Sequence, residues 1–210
     1  MRFTDRADAG HRLAAALPAD LPSPVIVLGI ARGGVVVARA VADAIGAPCA
    51  VAVVRKLGAP DDPELAIGAI APGVRVLDER TVAELGVSVA EIDAVVEREE
   101  RELARREARF RAGRAAVDLT GATALVVDDG LATGATAVAA VRWARARGAD
   151  RVVLAAPVAS AQAAERLRRE ADALVVLATP DPFVAVGDHY DRFEQVSDAE
   201  VIAALDREAA

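Results

Sequence analysis

Aromatic side chains make up only 3% of this chain, so little stacking surface is left for a platform that would read single-stranded nucleic acid. Positive charge is also short: 25 Lys and Arg stand against 32 Asp and Glu, a net charge of −7, which argues against a polyanionic partner. The single cysteine, Cys49, cannot form an internal disulfide, and its apolar neighbours predict a buried, inert thiol. No apolar run reaches the length of a membrane span, since the one opening at Val25 is broken at Arg32. The opening stretch, MRFTDRADAGHRL, is too charged for a signal peptide. These absences predict a soluble, cytoplasmic protein with neither nucleic acid nor membrane as partner. Lysine is scarce in a more telling way: of the 25 basic residues, 24 are Arg, and the exception is Lys56.

What is abundant is Ala, Val, Leu and Ile. With 54% hydrophobic residues in 210, the chain can fill the core of one α/β domain, expected to span residues 1–210. Short β-branched runs alternate with helical patterns, the signature of βαβ units around a mostly parallel central sheet flanked by helices. The predicted strands are 25–29, 50–55, 124–128, 151–156 and 173–178, with helices near 35–45, 135–147 and 161–170. A first helix is expected after Thr4 and a last one after Ser197 or Asp198. Two segments interrupt the rhythm. Residues 57–77, rich in Gly, Pro and Asp, read as a long loop or hairpin over the sheet edge. Residues 88–112 read as a long charged inserted helix with an apolar stripe at Val89, Ile92, Val96, Leu103 and Phe110. Glu97 with Arg101, Glu102 with Arg106 and Glu107 with Arg111 support it as pairs four apart. The stripe suggests a partner surface, in the same chain or in a second subunit, and a strut that links the lid segment back to the sheet is the equal alternative.

The run LVVDDGLATGAT, Leu125 to Thr136, carries the chemistry. A parallel strand delivers its last residues to the carboxyl edge of the sheet, where α/β proteins bind ligands. That places Asp128 and Asp129 at a crevice. The following residues offer closely spaced amides, free of side-chain bulk at Gly130 and Gly134, and the hydroxyls of Thr133 and Thr136 at a helix N-terminus, a cradle for phosphate. Acids beside an anion site imply a bipartite ligand, such as a sugar phosphate. Other nucleotide and hydrolase patterns fail: GIARGG lacks the dinucleotide spacing, no Lys follows Gly134 as a P-loop requires, and no Gly-x-Ser-x-Gly occurs.

The run VVDDGLATGAT resembles the signature of the type I phosphoribosyltransferases, which bind 5-phosphoribosyl-1-pyrophosphate (PRPP). The resemblance covers about residues 25–178 and implies a Rossmann-like core (about 22–180) with a lid at 57–77 and a hood from residues 1–21 and 179–210. It further implies that Asp128 and Asp129 engage the ribose hydroxyls and that Ala132, Thr133, Gly134, Ala135 and Thr136 hold the 5-phosphate. Ala31, Arg32, Gly33 and Gly34 would contact pyrophosphate, with Arg55 and Lys56 beside it. Lys56, Arg32, Asp128 and Asp129 become the candidate catalytic residues, and Mg²⁺ the expected cofactor, reached through substrate and water near Asp128 and Asp129. Phe183 is the choice for stacking on a base acceptor, while Tyr190 and Phe193 could serve the hood or a satellite core. His189 is expected at the surface, hydrogen-bonded, and Asp61, Asp62 and Glu64 are candidate proton acceptors on the lid. Ala132 stands where hypoxanthine-type members carry Asp, so the resemblance points to a bacterial branch whose acceptor its motifs do not imply. A non-catalytic PRPP-binding regulator is the alternative, and relatives of this kind are usually homodimers.

Overall fold

A computed structural model of the protein describes residues 1–111 and 116–207. The chain opens with α1 (Arg6–Ala15), capped by Asp5 rather than Thr4, because a carboxylate can accept from two amides at once, here Ala7 and Asp8. It continues through β1 (Val25–Ile30), α2 (Gly33–Ile45) and β2 (Cys49–Ala52). Next come β3 (Arg55–Gly58), β4 (Ala66–Ala71), β5 (Val74–Leu77), α3 (Glu79–Leu85) and α4 (Val89–Arg111). The second half runs β6 (Thr123–Val127), α5 (Ala135–Ala146), β7 (Arg151–Val158), α6 (Ala161–Leu167), β8 (Ala173–Ala178) and α7 (Asp198–Asp206).

Five strands form a parallel sheet in the order β2-β1-β6-β7-β8. The chain leaves β1 in one direction, towards β2, and returns on its other side with β6. This reversal opens a crevice at the carboxyl ends of β1 and β6, the position where open α/β sheets bind ligands. Alternation along the strands divides the core between two faces. Val27, Leu125, Val127, Val153 and Ala155 pack with Leu13, Val37 and Val41 of α1 and α2. Leu28, Ala124, Val126, Val152 and Leu154 pack with Val138, Val141 and Trp143 of α5 on the opposite face.

The run 50–55, predicted as one strand, is two. Ile30, the last residue of β1, pairs with Ala52; beyond that point the sheet offers no partner. The chain then crosses to a separate antiparallel sheet, β3-β4-β5, where Arg55 pairs with Ile70 and Lys56 with Ala69. The segment expected as a loop or hairpin thus supplies the remaining strands of this second sheet. Helix α3 was not anticipated: Asp78 caps it, accepting from the Thr81 amide, and Gly86 closes it in the left-handed conformation with φ 64°.

The apolar stripe of α4 is covered within the chain. Ile92, Val95, Val96, Leu103 and Phe110 share a cluster with Leu57, Ile67 and Ile70 of the small sheet and Val201 of α7. Val89, expected on the stripe, is exposed, and Ala112 lies outside the described residues. The segment after β8 returns to the start of the chain, the Phe3 amide donating to the His189 carbonyl at 2.8 Å. Among the described residues no helix is long and apolar enough to cross a membrane.

Candidate active site

Strand β6 is buried along its whole length and Asp128 follows its last residue directly, so the acidic pair is fixed by the sheet rather than by a loose turn. Asp128 is itself buried, and its Oδ1 accepts the Asp129 amide at 2.9 Å. Burial, then the neighbouring Asp129 charge, holds the Asp128 carboxyl well above its usual range. Asp129 is also raised, burial outweighing the charge of Arg6. Arg6, on the first turn of α1, donates from Nε to Asp129 Oδ2 at 2.8 Å, and Tyr190 donates its hydroxyl to the Asp129 carbonyl at 2.6 Å. Burial and the Asp129 charge push the Tyr190 phenol upward, which keeps it a donor.

The Gly-rich loop after β1 lies against this pair. A Cβ at Gly33 would stand 1.9 Å from Asp129 Oδ2, and one at Gly34 2.7 Å from the Val127 carbonyl oxygen. Only glycine lets the two loops of the crevice approach so closely. The Ala31–Arg32 peptide is cis, and the Ala31 amide is taken by the Ala52 carbonyl at 3.1 Å. Arg32 caps α2 and faces Asp198 at 3.7 Å.

Residues 130–136 are pinned from below. The Leu131 amide donates to Val158 at 2.9 Å, the Ser160 amide donates back to Leu131 at 2.9 Å, and Ser160 Oγ donates to the Ala132 carbonyl at 2.7 Å. Gly134 caps α5 at φ 78°, a left-handed position that disfavours any side chain. Among the described residues the amides of Ala132, Thr133 and Gly134 have no protein acceptor. Residues Gly130–Thr136 line a cavity of about 170 Å³ with Ala66 and Lys56. Lys56 therefore comes from the second sheet to the phosphate-shaped loop, its Nζ donating meanwhile to the Glu64 carbonyl and Oε2 at 3.0 and 3.2 Å.

Several expected residues stand elsewhere. Asp128 and Asp129 precede this cavity in the chain and do not line it. Arg55 turns to α4, its Nε and Nη2 donating to Glu99 at 2.9 and 2.5 Å. Phe183 is half-buried against His189, the rings 5.7 Å apart. His189 is half-buried, and its Nε2 is buried without a hydrogen-bond partner among the described residues, so the hydrogen bond expected of it is not made there. Tyr190 is buried with Phe3 and Ala9 in a satellite core that Phe193 flanks, and Arg6 lies over the Phe193 ring at 3.9 Å. Cys49 is half-buried, and burial pushes its thiol up to about 11, in keeping with an inert role. Asp61 and Asp62 lie exposed in the loop between β3 and β4.

Sequence reasoning missed Arg6, Glu99 and Asp198. Arg6 sits 123 positions from Asp129, and nothing in its neighbours marks one Arg among 24.

The phosphoribosyl transferase domain family matches residues 4–191, and the chain belongs to that family. Rv0571c of Mycobacterium tuberculosis (strain ATCC 25618 / H37Rv), named provisionally as a phosphoribosyl transferase, is 52% identical over 206 residues, covering 98% of this chain and 46% of the relative. The chain thus spans about half the length of the curated relatives it matches. Among solved structures, TT1426 from Thermus thermophilus is 42% identical, with 100% of both chains covered and a TM-score of 0.83. A hypothetical protein from Neisseria gonorrhoeae, solved with bound ppGpp, shares the fold at 13% identity and a TM-score of 0.51, with 98% of this chain and 93% of its own covered.

Proposed function

We propose that the protein transfers the phosphoribosyl group of PRPP to a nitrogenous base or similar acceptor and releases pyrophosphate, in a Mg²⁺-dependent reaction. The observation that carries this reading is the cavity shared by Lys56 and Gly130–Thr136. It brings the one lysine of the chain to a loop in which the amides of Ala132, Thr133 and Gly134 have no acceptor among the described residues, at a helix N-terminus, two elements suited to phosphate. Ala132 to Thr136 hold the 5-phosphate, and Asp128 with Asp129 face the ribose hydroxyls once Asp129 exchanges Arg6 for the sugar. Arg32 and Lys56 stabilise the negative charge that grows on the leaving pyrophosphate, a preorganised task in which a well-placed donor contributes about 3 kcal/mol. Arg55, closed onto Glu99, fixes the base of β3 instead.

Among the described residues no three acidic, His or Cys side chains converge into a metal cage. The donor set fits Mg²⁺ as an outer partner: two adjacent carboxylates whose proton affinity is raised by burial favour a hydrated cation nearby. Asp128 and Asp129 would hold it through water, and the cation would supply charge neutralisation for the pyrophosphate. The loop between β3 and β4 closes over the sugar and keeps water from the reactive carbon, releasing Lys56 from Glu64 as it does so. Phe183 offers a partly open ring for the acceptor base.

Pyrophosphate release from PRPP and Mg²⁺ across a panel of bases tests this reading. Turnover with at least one base, falling about 100-fold or more in Lys56→Ala, supports it. Binding of PRPP with no turnover on any base assigns the non-catalytic alternative, which the Arg6 pairing of Asp129 would then explain. Absence of PRPP binding refutes both.

A further inference from the structure

Arginines gather where the loop after β1 meets β3, α4 and α7, and their counter-charges are unevenly shared. Arg55 is closed onto Glu99, itself buried, at 2.5 Å. Arg32 reaches Asp198 only at 3.7 Å, and that carboxylate already holds Arg109 of α4 at 2.9 Å. Arg106 reaches Glu102 only at 3.5 Å, and Glu102 already holds Arg105 at 2.5 Å. Arg32 and Arg106 therefore each stand at the long end of a carboxylate that serves another arginine. Neither side chain makes a hydrogen bond among the described residues, and both are partly open to solvent, at 26% and 22%.

Asp198 ties the two together in space. It bridges Arg32 to Arg109, and Arg106 lies one turn before Arg109 on the same side of α4. Burial, and then the charges of Arg55 and Arg32, hold the Arg106 guanidinium below its usual value. With Arg98 on the other oxygen of Glu99, six arginines share three acids here among the described residues. Like charges so placed call for a multivalent anion, and guanidinium groups suit the oxygens of a phosphate.

We propose that Arg106 of α4 is a pyrophosphate ligand, forming with Arg32 a clamp of two guanidinium groups on the leaving group. The inference rests on the phosphoribosyl transfer reading and gives the inserted helix a part in the site. Arg106 takes the place that the sequence suggested for Arg55.

The test is calorimetric titration of the full chain with three probes in Mg²⁺: inorganic pyrophosphate, PRPP and ribose 5-phosphate. Arg106→Ala should weaken pyrophosphate and PRPP about 10- to 100-fold while leaving ribose 5-phosphate within about 2-fold, a result that also reports an intact fold. Arg106→Lys should recover part of the loss. Arg101→Ala, which removes a charge from the solvent face where Arg101 pairs with Glu97, should change none of the three. Equal losses for all probes, or none, overturn the clamp. Wild-type binding of PRPP with no effect of Arg106→Ala removes the clamp and leaves the transfer reading standing. Wild-type binding of pyrophosphate alone removes the transfer reading, and the Arg106→Ala titration still decides the clamp. A wild-type chain that binds neither loses both.

Discussion

At the scale of single residues, the site is organised by which charge each group can reach. Asp128 is buried beside a second carboxylate, and both are held above the ordinary value of 3.8. An acid whose folded-state pKa is raised favours folding while it is protonated in both states, below about pH 3.8. That contribution is lost as pH rises from there through the folded-state value, so at neutral pH the two buried acids are a liability to stability. Asp128→Asn should therefore raise the melting temperature at pH 7.5 by a few degrees, with the gain shrinking to nothing by about pH 4. Thermal melts across that range check it. The same variant should bind PRPP more weakly, the pattern expected where a site is built for its ligand rather than for stability.

At the scale of elements, the loop of residues 130–136 depends on a residue outside its own motif. Ser160 caps α6, accepting the Ala163 amide at 3.0 Å, while its hydroxyl donates to the Ala132 carbonyl at 2.7 Å. One side chain thus holds both a helix start and the loop. Ser160→Ala should cost about 1 kcal/mol by urea denaturation and weaken ribose 5-phosphate about 2- to 10-fold by titration. A stability loss with unchanged affinity would show that the loop holds its shape without the tether. Helix α4 carries a second element-level lesson. Its charged pairs were legible from spacing, and the ion pairs of Glu97 with Arg101 and Glu107 with Arg111 form at 2.7 and 2.8 Å. Glu102 instead makes its shorter contact to Arg105, at 2.5 Å, since residues three apart face each other as well as those four apart.

At the scale of the whole molecule, the small sheet, α4 and α7 share one apolar cluster, and the elements it joins bring Lys56 to the loop after β6 and Arg106 near Arg32, which follows β1. Leu103 is buried in that cluster, one turn before Arg106. Leu103→Ala should cost about 2–5 kcal/mol in urea unfolding and loosen pyrophosphate binding by displacing Arg106. A cost below about 1 kcal/mol would mean that α4 is not docked as described. The cover over the α4 stripe also answers part of the question posed by its pattern: the surface it needs is in the same chain.

The sequence by itself determined the alternation of strands and helices, the carboxyl-edge position of Asp128 and Asp129, and the phosphate-shaped loop behind them. These depend on period, on glycine and on residue order, all of which are local. Only the tertiary structure decided that the run 50–55 breaks after Ala52, that Arg6 pairs with Asp129, and that Arg55 is closed onto Glu99 while Arg32 and Arg106 reach their acids only at 3.7 and 3.5 Å. The reason is physical: where a strand stops depends on the length of its neighbour, and a guanidinium takes whichever carboxylate folding brings within reach. Arg55 and Glu99 are 44 positions apart and Arg6 and Asp129 are 123 apart, separations at which no periodicity connects the partners.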